Sequence, residues 1–226
     1  MKNFRLHFIR HGMTQANKEG RYVGGRTDYE LCGEGIKELI DLRECYEYPA
    51  VGMVYMSPMA RCVQTAGILY PGREVTIIPQ LREVDFGDFE GKTIGELQEN
   101  EDYLDWIANS NEIGPPGGES GQDFLCRLVE GMRFILDDMM KNELYDAAVV
   151  THGGVIMTLL SALGMPRRPM QDWLVGNGRG YTCFVTPQLW LRDGLLEVAG
   201  IMPHGAETAY GNDFGQGGTP QGQIEL

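Results

Sequence analysis

The chain has 226 residues, of which 42% are hydrophobic, and a formal net charge of −13. This size suits one large α/β domain or two small ones, and the lack of a linker-like stretch in the middle favours one. The acidic balance, with no block of Lys or Arg, argues against nucleic acid or an anionic membrane as a partner. Widely spaced cysteines, no signal sequence and no apolar run of membrane length predict a cytoplasmic protein.

The first apolar run, residues 6–9, predicts a buried strand that ends in Arg10-His11-Gly12 and leads into a polar segment able to open a helix. Open α/β sheets bind ligands at such junctions, where backbone N–H groups favour an anion. Arg10 adds a positive fork suited to phosphate, and His11 adds a nucleophile or base that works near neutral pH. Taken alone, the triplet is explained equally well by a polar loop with a structural histidine.

Strand-like and helix-like segments alternate along the rest of the chain. Further strands are predicted at 53–56, 75–78, 147–151, 181–186 and 195–201, and helices at 36–42, 58–69, 103–108, 124–139 and 155–163. Ser57 is expected to cap the second of these helices, with Pro58 in its first turn, and Ser120 with Asp123 resembles a capping box.

This alternation predicts a three-layer α/β/α fold around a mostly parallel sheet. Residues 1–203 are expected to form a single domain with a small lid-like insertion at about 92–119. Residues 204–226, rich in glycine and without Lys or Arg, are expected to be a poorly structured tail or an arm ordered by contact.

Two further strand-to-helix junctions carry the same kinds of residue. Arg61 lies in the first turn of the helix that follows the second strand, and His152 lies between a later strand and helix. If the strands are parallel, these residues meet the first junction at one edge of the sheet and form a phosphate site without a metal. Glu83, in the loop after residue 81, adds a carboxylate.

These blocks resemble the signatures of the histidine phosphatase superfamily, also called the phosphoglycerate mutase-like family, over residues 6–165. The matching segments are Arg10-His11-Gly12-Met13-Thr14, Ser57-Pro58-Met59-Ala60-Arg61-Cys62-Val63-Gln64-Thr65-Ala66, Leu81-Arg82-Glu83 and Thr151-His152-Gly153-Gly154. One departure is Met13, which stands where the family usually has Glu or Gln. The resemblance implies that family's fold.

The resemblance also implies a mechanism. Arg10 and Arg61 clamp the phosphoryl oxygens while His11 attacks phosphorus and becomes phosphohistidine. His152 hydrogen-bonds the transferring group, and Glu83 protonates the leaving oxygen and then activates water. No cofactor and no metal are expected, and the further phosphate contacts are expected at Asn17, Gly24 and Gly153.

Two pKa shifts follow from this arrangement. The positive field of the two arginines is expected to lower the pKa of His11 and keep its ring neutral. Neighbouring acids, including Asp85 and Asp88, are expected to raise the pKa of Glu83 toward its task as an acid.

The expected partner is a small phosphorylated metabolite, and a homodimer is left open. Gly87-Asp88-Phe89-Glu90-Gly91-Lys92 and Pro116-Gly117-Gly118-Glu119-Ser120 resemble the α-ribazole phosphatases of the cobalamin pathway. From residue 93 to residue 126 there are eight acids and no Lys or Arg, so a substrate with a second anionic end is expected to bind poorly. α-Ribazole phosphate, with a weakly basic aromatic leaving group, fits better. Phe89, Tyr103 and Trp106 are candidates for apolar contacts, although packing on a helix face is the more usual role for a residue placed as Trp106 is.

Three alternatives stay open at this point. The first is phosphoryl transfer of the phosphoglycerate mutase type, and the second is a non-catalytic binding protein on the same scaffold. The third is a metal site formed by His11, His152 and Glu83. Two arginines in the same pocket argue against it, because they would repel a divalent cation.

Overall fold

The computed structural model of the chain describes residues 3–110 and 112–206 and contains a seven-stranded sheet. The strands are β1 Phe4–Arg10, β2 Met53–Met56, β3 Val75–Ile77, β4 Asp146–Thr151, β5 Gly164–Met165, β6 Gly180–Val185 and β7 Leu196–Met202. Their order in the sheet is β3-β2-β4-β1-β6-β7-β5. The first four are mutually parallel, whereas β6 is antiparallel to both β1 and β7. The predicted mostly parallel sheet is confirmed.

Helices cover both faces of this sheet. They are α1 Gln15–Lys18, α2 Gly33–Cys45, α3 Ala60–Leu69, α4 Ile94–Leu97, α5 Glu101–Asn109, α6 Gly121–Lys141, α7 Gly153–Leu163 and α8 Pro187–Asp193. α6 and α7 pack against one face, and α2 and α3 against the other. The predicted three layers are therefore present.

The central strand β4 explains the continuous apolar run at residues 147–150. Residues 147–150 are all fully buried because both faces of the strand are covered. On α6, Leu128, Met132, Ile135 and Met139 recur at helical spacing and are also fully buried. Burial of each such side chain stabilises the fold by about 1.5–3 kcal/mol.

The start of α3 differs from the prediction. Met59, not Ser57, is the N-cap residue, and its side chain makes no capping hydrogen bond. The backbone N–H of Ala60 instead donates to Asp28 Oδ1 at 2.8 Å. Ser57 lies before the helix, where its hydroxyl serves another partner. By contrast, Ser120 caps α6 by accepting from the N–H of Asp123, as predicted.

The predicted insertion contains α4 and α5. Its aromatic side chains pack on one another and on the loop before it, forming a small core of Phe89, Leu97 and Tyr103 flanked by Tyr22, Phe86 and Trp106. Of the predicted tail, His204 forms a β-bridge with Glu47, while residues 207–226 lie outside the described residues. Between residues 3 and 206, leaving out 111, no helix is long and apolar enough to cross a membrane.

Candidate active site

The carboxyl ends of β1 and β4 lie side by side, with Arg10 in register with Thr151. The residue directly after each of these strands is a histidine. The ring centroids of His11 and His152 are therefore only 5.2 Å apart, edge to face. β2 ends at the same edge and leads into α3, which carries Arg61. The structure thus brings together the residues that the sequence assigned to three separate junctions.

His11 presents one defined nitrogen to the site. Its Nδ1 is 2.7 Å from the carbonyl oxygen of Gly12, and because a carbonyl only accepts, Nδ1 carries the proton. Burial holds the pKa of His11 well below its usual range, and the charges of Arg61 and Arg10 lower it further. The ring is therefore neutral, with a lone pair on Nε2. The predicted direction of this shift is therefore right, but burial is a larger cause than the arginines named from the sequence.

Arg10 is held by one end of its guanidinium. Nη1 donates to the carbonyl oxygen of Val175 at 2.7 Å, while Nε is buried and has no hydrogen-bond partner in the described part of the chain. A buried donor without a partner costs about 1–3 kcal/mol. A bound anion would remove that cost, so the position favours one.

Arg61 is almost fully buried and is held by three groups of the protein. Nη1 donates to Thr27 O at 3.0 Å, Nη2 to Gly24 O at 3.1 Å, and Nε to His152 Nδ1 at 3.2 Å. Two of its five N–H groups remain for a ligand. Among residues 3–110 and 112–206, neither Arg61 nor Arg10 forms a salt bridge with a carboxylate. Arg61 is buried and Arg10 is partly buried, and this pair of cations without a salt-bridge partner is suited to an anion.

Both nitrogens of His152 are engaged. Because the Arg61 guanidinium can only donate, Nδ1 of His152 is the acceptor and Nε2 carries the proton, which it donates to Ser57 Oγ at 2.8 Å. Burial and the charge of Arg61 hold the pKa of His152 well below its usual range. Sequence reasoning missed Ser57 as a site residue because its position before a helix also fits a cap.

Glu83 is fixed at the start of α7. Its Oε2 accepts from the N–H of Gly154 at 2.9 Å, and its Oε1 from the N–H of Val84 at 3.0 Å. Burial raises the pKa of Glu83, although these hydrogen bonds and the charges of the two arginines act in the opposite direction. The neighbouring acid Asp85 is paired with Arg26 at 2.7 Å. The expected direction is therefore right, but burial and not the neighbouring acids is the cause.

Of the three other expected phosphate contacts, Gly24 and Gly153 lie next to the two arginines, since Gly24 O accepts from Arg61 and Gly153 packs against Arg10. The side-chain oxygen of Asn17 accepts from the N–H and hydroxyl of Thr14, which fixes the amide at the start of α1. Gly24 is packed so tightly against Val84 O and the Glu90 carboxylate that no Cβ fits. Gly153, the first residue of α7, lies against Arg10: a Cβ there would be 3.3 Å from Nε.

A cleft of about 910 Å³ opens beside Glu83. Its charged lining is formed by Glu83 itself together with Arg26, Arg82, Arg127, Asp28, Asp85, Glu119 and Asp123. Of the eight acids between residues 93 and 126, only Glu119 and Asp123 are in this lining, and Glu119 is paired with Arg127 at 2.6 Å. The aromatic residues Phe89, Tyr103 and Trp106 pack on one another and are not in this lining, so the packing role expected for Trp106 is the one found for all three.

A metal centre is not supported by the geometry. In the portion of the chain that the structure describes, no group of three or more His, Cys, Asp or Glu side chains is arranged to hold a metal ion. His11, His152 and Glu83 instead each bond to the protein through the atoms given above. The charges nearest them are the two arginines.

Comparison with known proteins shows the family to which the chain belongs. The family model of the histidine phosphatase superfamily (branch 1) matches residues 6–188, and the chain belongs to that family. It is 33% identical over 179 residues to an adenosylcobalamin/α-ribazole phosphatase of Escherichia coli, covering 77% of this chain and 86% of that protein. The fold resembles that of the α-ribazole phosphatase from Shigella flexneri, with a TM-score of 0.72, 29% identity and coverage of 87% and 95%. It also resembles phosphoglycerate mutase from Thermus thermophilus, with a TM-score of 0.63, 30% identity and coverage of 88% and 98%.

Proposed function

We propose that the protein hydrolyses a small phosphomonoester through a phosphohistidine formed on His11, without a metal ion. The observation that carries this proposal is the unprotonated Nε2 of His11 in the field of the buried Arg61 and the partly buried Arg10, which form no salt bridge with any carboxylate of the described residues. Such a pair can bind the phosphoryl dianion and spread the charge that develops during transfer. The neutral ring supplies the nucleophile.

In the first half-reaction, Nε2 of His11 attacks phosphorus and the bond from phosphorus to the ester oxygen breaks. Glu83 gives its proton to that oxygen, so the alcohol leaves as a neutral molecule. His152 contributes to binding of the transferring group when its Nε2–H passes from Ser57 Oγ, which accepts it in this structure, to a phosphoryl oxygen. In the second half-reaction, Glu83 takes a proton from water, the oxygen attacks phosphorus, and the bond from nitrogen to phosphorus breaks. Inorganic phosphate leaves, and the enzyme returns to its starting state.

The raised pKa of Glu83 supports its double role. A carboxyl group can donate a proton only if it still holds one near the working pH, and burial favours the protonated form. Its place between the N–H of Gly154 and the cleft aims it at the side from which the alcohol leaves. The charges of Arg61 and Arg10 limit this rise in pKa, so the carboxyl group can also release its proton.

For the substrate, we favour α-ribazole 5'-phosphate. The support comes from the relatives that carry this activity in their names and from the two glycine-containing blocks around Gly87 and Gly117. The cleft adds a weaker argument, since its five carboxyl groups outnumber its three arginines. A leaving group with a second negative charge is therefore disfavoured, which argues against phosphoglycerate and sugar bisphosphates.

The test is a comparison of kcat/KM for four esters: α-ribazole 5'-phosphate, 4-nitrophenyl phosphate, 3-phosphoglycerate and a sugar bisphosphate. We expect the first to be hydrolysed best and the last two worst, with full activity in EDTA and none in His11→Ala. Faster phosphoryl transfer between phosphoglycerates than hydrolysis would show a mutase instead. Loss of activity in EDTA would overturn the metal-free mechanism, and inactivity on all four esters would indicate a binding protein.

A further inference from the structure

Arg127 lies in the wall of the cleft but is turned toward the protein. It stands on α6, and its guanidinium lies over the ring of Phe124 at 5.0 Å from the centroid. Its partner Glu119 lies in the block that resembles α-ribazole phosphatases and is one of the eight acids between residues 93 and 126.

All five N–H groups of Arg127 are used within the protein. Nε and one Nη2 proton bind the two oxygens of Glu119, at 2.9 and 2.6 Å. Nη1 donates to the carbonyl oxygens of Gln80 and Arg82, at 2.7 and 3.0 Å. The remaining proton of Nη2 points to the carbonyl oxygen of Glu83, at 3.4 Å. No donor is left for a substrate, in contrast to the two arginines of the anion site.

The three carbonyl groups belong to one short segment: Gln80 lies in the 3-10 helix Pro79–Leu81, and Arg82 and Glu83 follow it. Beyond the hydrogen bonds of this single 3-10 turn, residues 82 and 83 belong to no helix or strand. Glu119 is itself tied to the same loop, because its N–H donates to the carbonyl oxygen of Asp85 at 2.9 Å. The planar guanidinium therefore joins α6, the segment before Glu83 and the segment after it.

The geometry points to Arg127 as a positioning residue for Glu83, with Glu119 orienting the guanidinium. By holding the backbone of residues 80–83, Arg127 keeps the carboxyl group at the N–H of Gly154 and aimed at the leaving oxygen. A shift of about 1 Å in a catalytic group is enough to slow proton transfer roughly 100-fold. This role rests on the proposed function, because Glu83 must act as the acid for its position to matter.

A double-mutant cycle of Arg127→Met and Glu83→Gln tests the inference. The readout is kcat/KM for ethyl phosphate, whose alcohol needs a proton in order to leave, and for 4-nitrophenyl phosphate, whose phenol does not. We expect Arg127→Met to lower the value for ethyl phosphate about 100-fold and that for 4-nitrophenyl phosphate less than about threefold. In the Glu83→Gln background, Arg127→Met should lower kcat/KM less than about twofold for either ester.

The pH profile gives a second readout. Loss of Arg127 removes a cation next to the backbone of Glu83 and leaves the Glu119 carboxylate unpaired, and both changes favour the protonated form and raise the pKa of Glu83. The alkaline limb of kcat/KM for ethyl phosphate should then move to higher pH. Arg133→Met is the matched control, since Arg133 is an exposed arginine of the same helix and has no hydrogen bond or ion pair within the described ranges. It should leave the rates and the profile unchanged.

Folding is monitored by the Tm and by its rise on addition of inorganic phosphate, which reports the anion site. If Arg127→Met fails to fold, Glu119→Gln replaces it, because it keeps the side-chain volume and removes the charge pair. We expect the same selective loss on ethyl phosphate. Equal losses on the two esters, or losses that add fully to those of Glu83→Gln, would overturn the positioning role while leaving the phosphatase intact. A wild-type protein that cleaves neither ester would overturn the proposed function and this role with it.

Discussion

Replacement of Ser57 by alanine tests how His152 is held. Both side chains are fully buried, and Ser57 Oγ accepts the Nε2–H of His152 at 2.8 Å. Ser57→Ala leaves that N–H buried without an acceptor, at a cost of about 1–3 kcal/mol in the free energy of unfolding. For a protein of this size each kcal/mol lowers the Tm by roughly 2–4 °C, so we expect a drop of about 2–12 °C.

The competing interpretation, that Ser57 caps α3, predicts a loss of similar size, about 0.5–2 kcal/mol. A second background separates the two. If Ser57 acts through His152, then Ser57→Ala should cost less than about 0.5 kcal/mol when His152 is already alanine. A cap would cost the same in both backgrounds. Urea unfolding of the four proteins measures this coupling, with Ser161→Ala as a control hydroxyl that bonds only to its own helix. Equal costs in both backgrounds would refute the role assigned to Ser57.

Burial gives three further predictions. The pKa of His7 is lowered to about 4, and those of His11 and His152 are also lowered, so their contribution to stability is complete above pH 6.5 and is lost as the pH falls. Below pH 6.5, each histidine should lower the free energy of unfolding by about 1.4 kcal/mol per pH unit. Urea unfolding at pH 7, 6 and 5 should therefore show a free energy that falls with pH less steeply in His7→Asn than in the wild type, by that amount. An unchanged pH dependence would contradict the assignment. Glu83 behaves in the opposite way, because its pKa is raised in the folded protein. Its contribution to stability is complete below its unfolded pKa of about 4.3 and is lost as the pH rises. Calorimetry should therefore show that the Tm of Glu83→Gln rises relative to the Tm of the wild type from pH 5 to pH 8. A constant difference between the two Tm values would argue against burial as the cause. Gly24→Ala should lose about 1–3 kcal/mol and most activity, since a Cβ meets Val84 O and the Glu90 carboxylate, whereas Gly33→Ala, with open space around it, should unfold as the wild type does.

The candidate site could be predicted from the sequence because its reactive residue types follow directly after predicted strands. Each of Arg10, His11 and His152 stands at or directly after the end of a buried strand, and Arg61 lies in the first turn of the next helix. The parallel arrangement of β1, β2 and β4 then places all four at one edge of the sheet. The same local signals predicted the layers and most of the helices.

What the sequence missed depends on contacts between distant segments. Ser57 was interpreted as a cap because its partner His152 is 95 positions away. The pKa of Glu83 was attributed to sequence neighbours, whereas burial by other segments sets it and Asp85 is neutralised by Arg26. The roles of Arg127 and of the aromatic residues likewise depend on which surface each one faces, and a sequence pattern does not contain that information.

Trapping the covalent intermediate tests the central claim most directly. The protein is mixed briefly with 4-nitrophenyl phosphate, denatured in alkali and mapped by peptide mass spectrometry. We expect one acid-labile, base-stable phosphoryl group on His11, at higher occupancy in Glu83→Gln, where hydrolysis of the intermediate is slowed. A phosphoryl group on His152 or on any hydroxyl, or full activity of His11→Ala, would contradict the account.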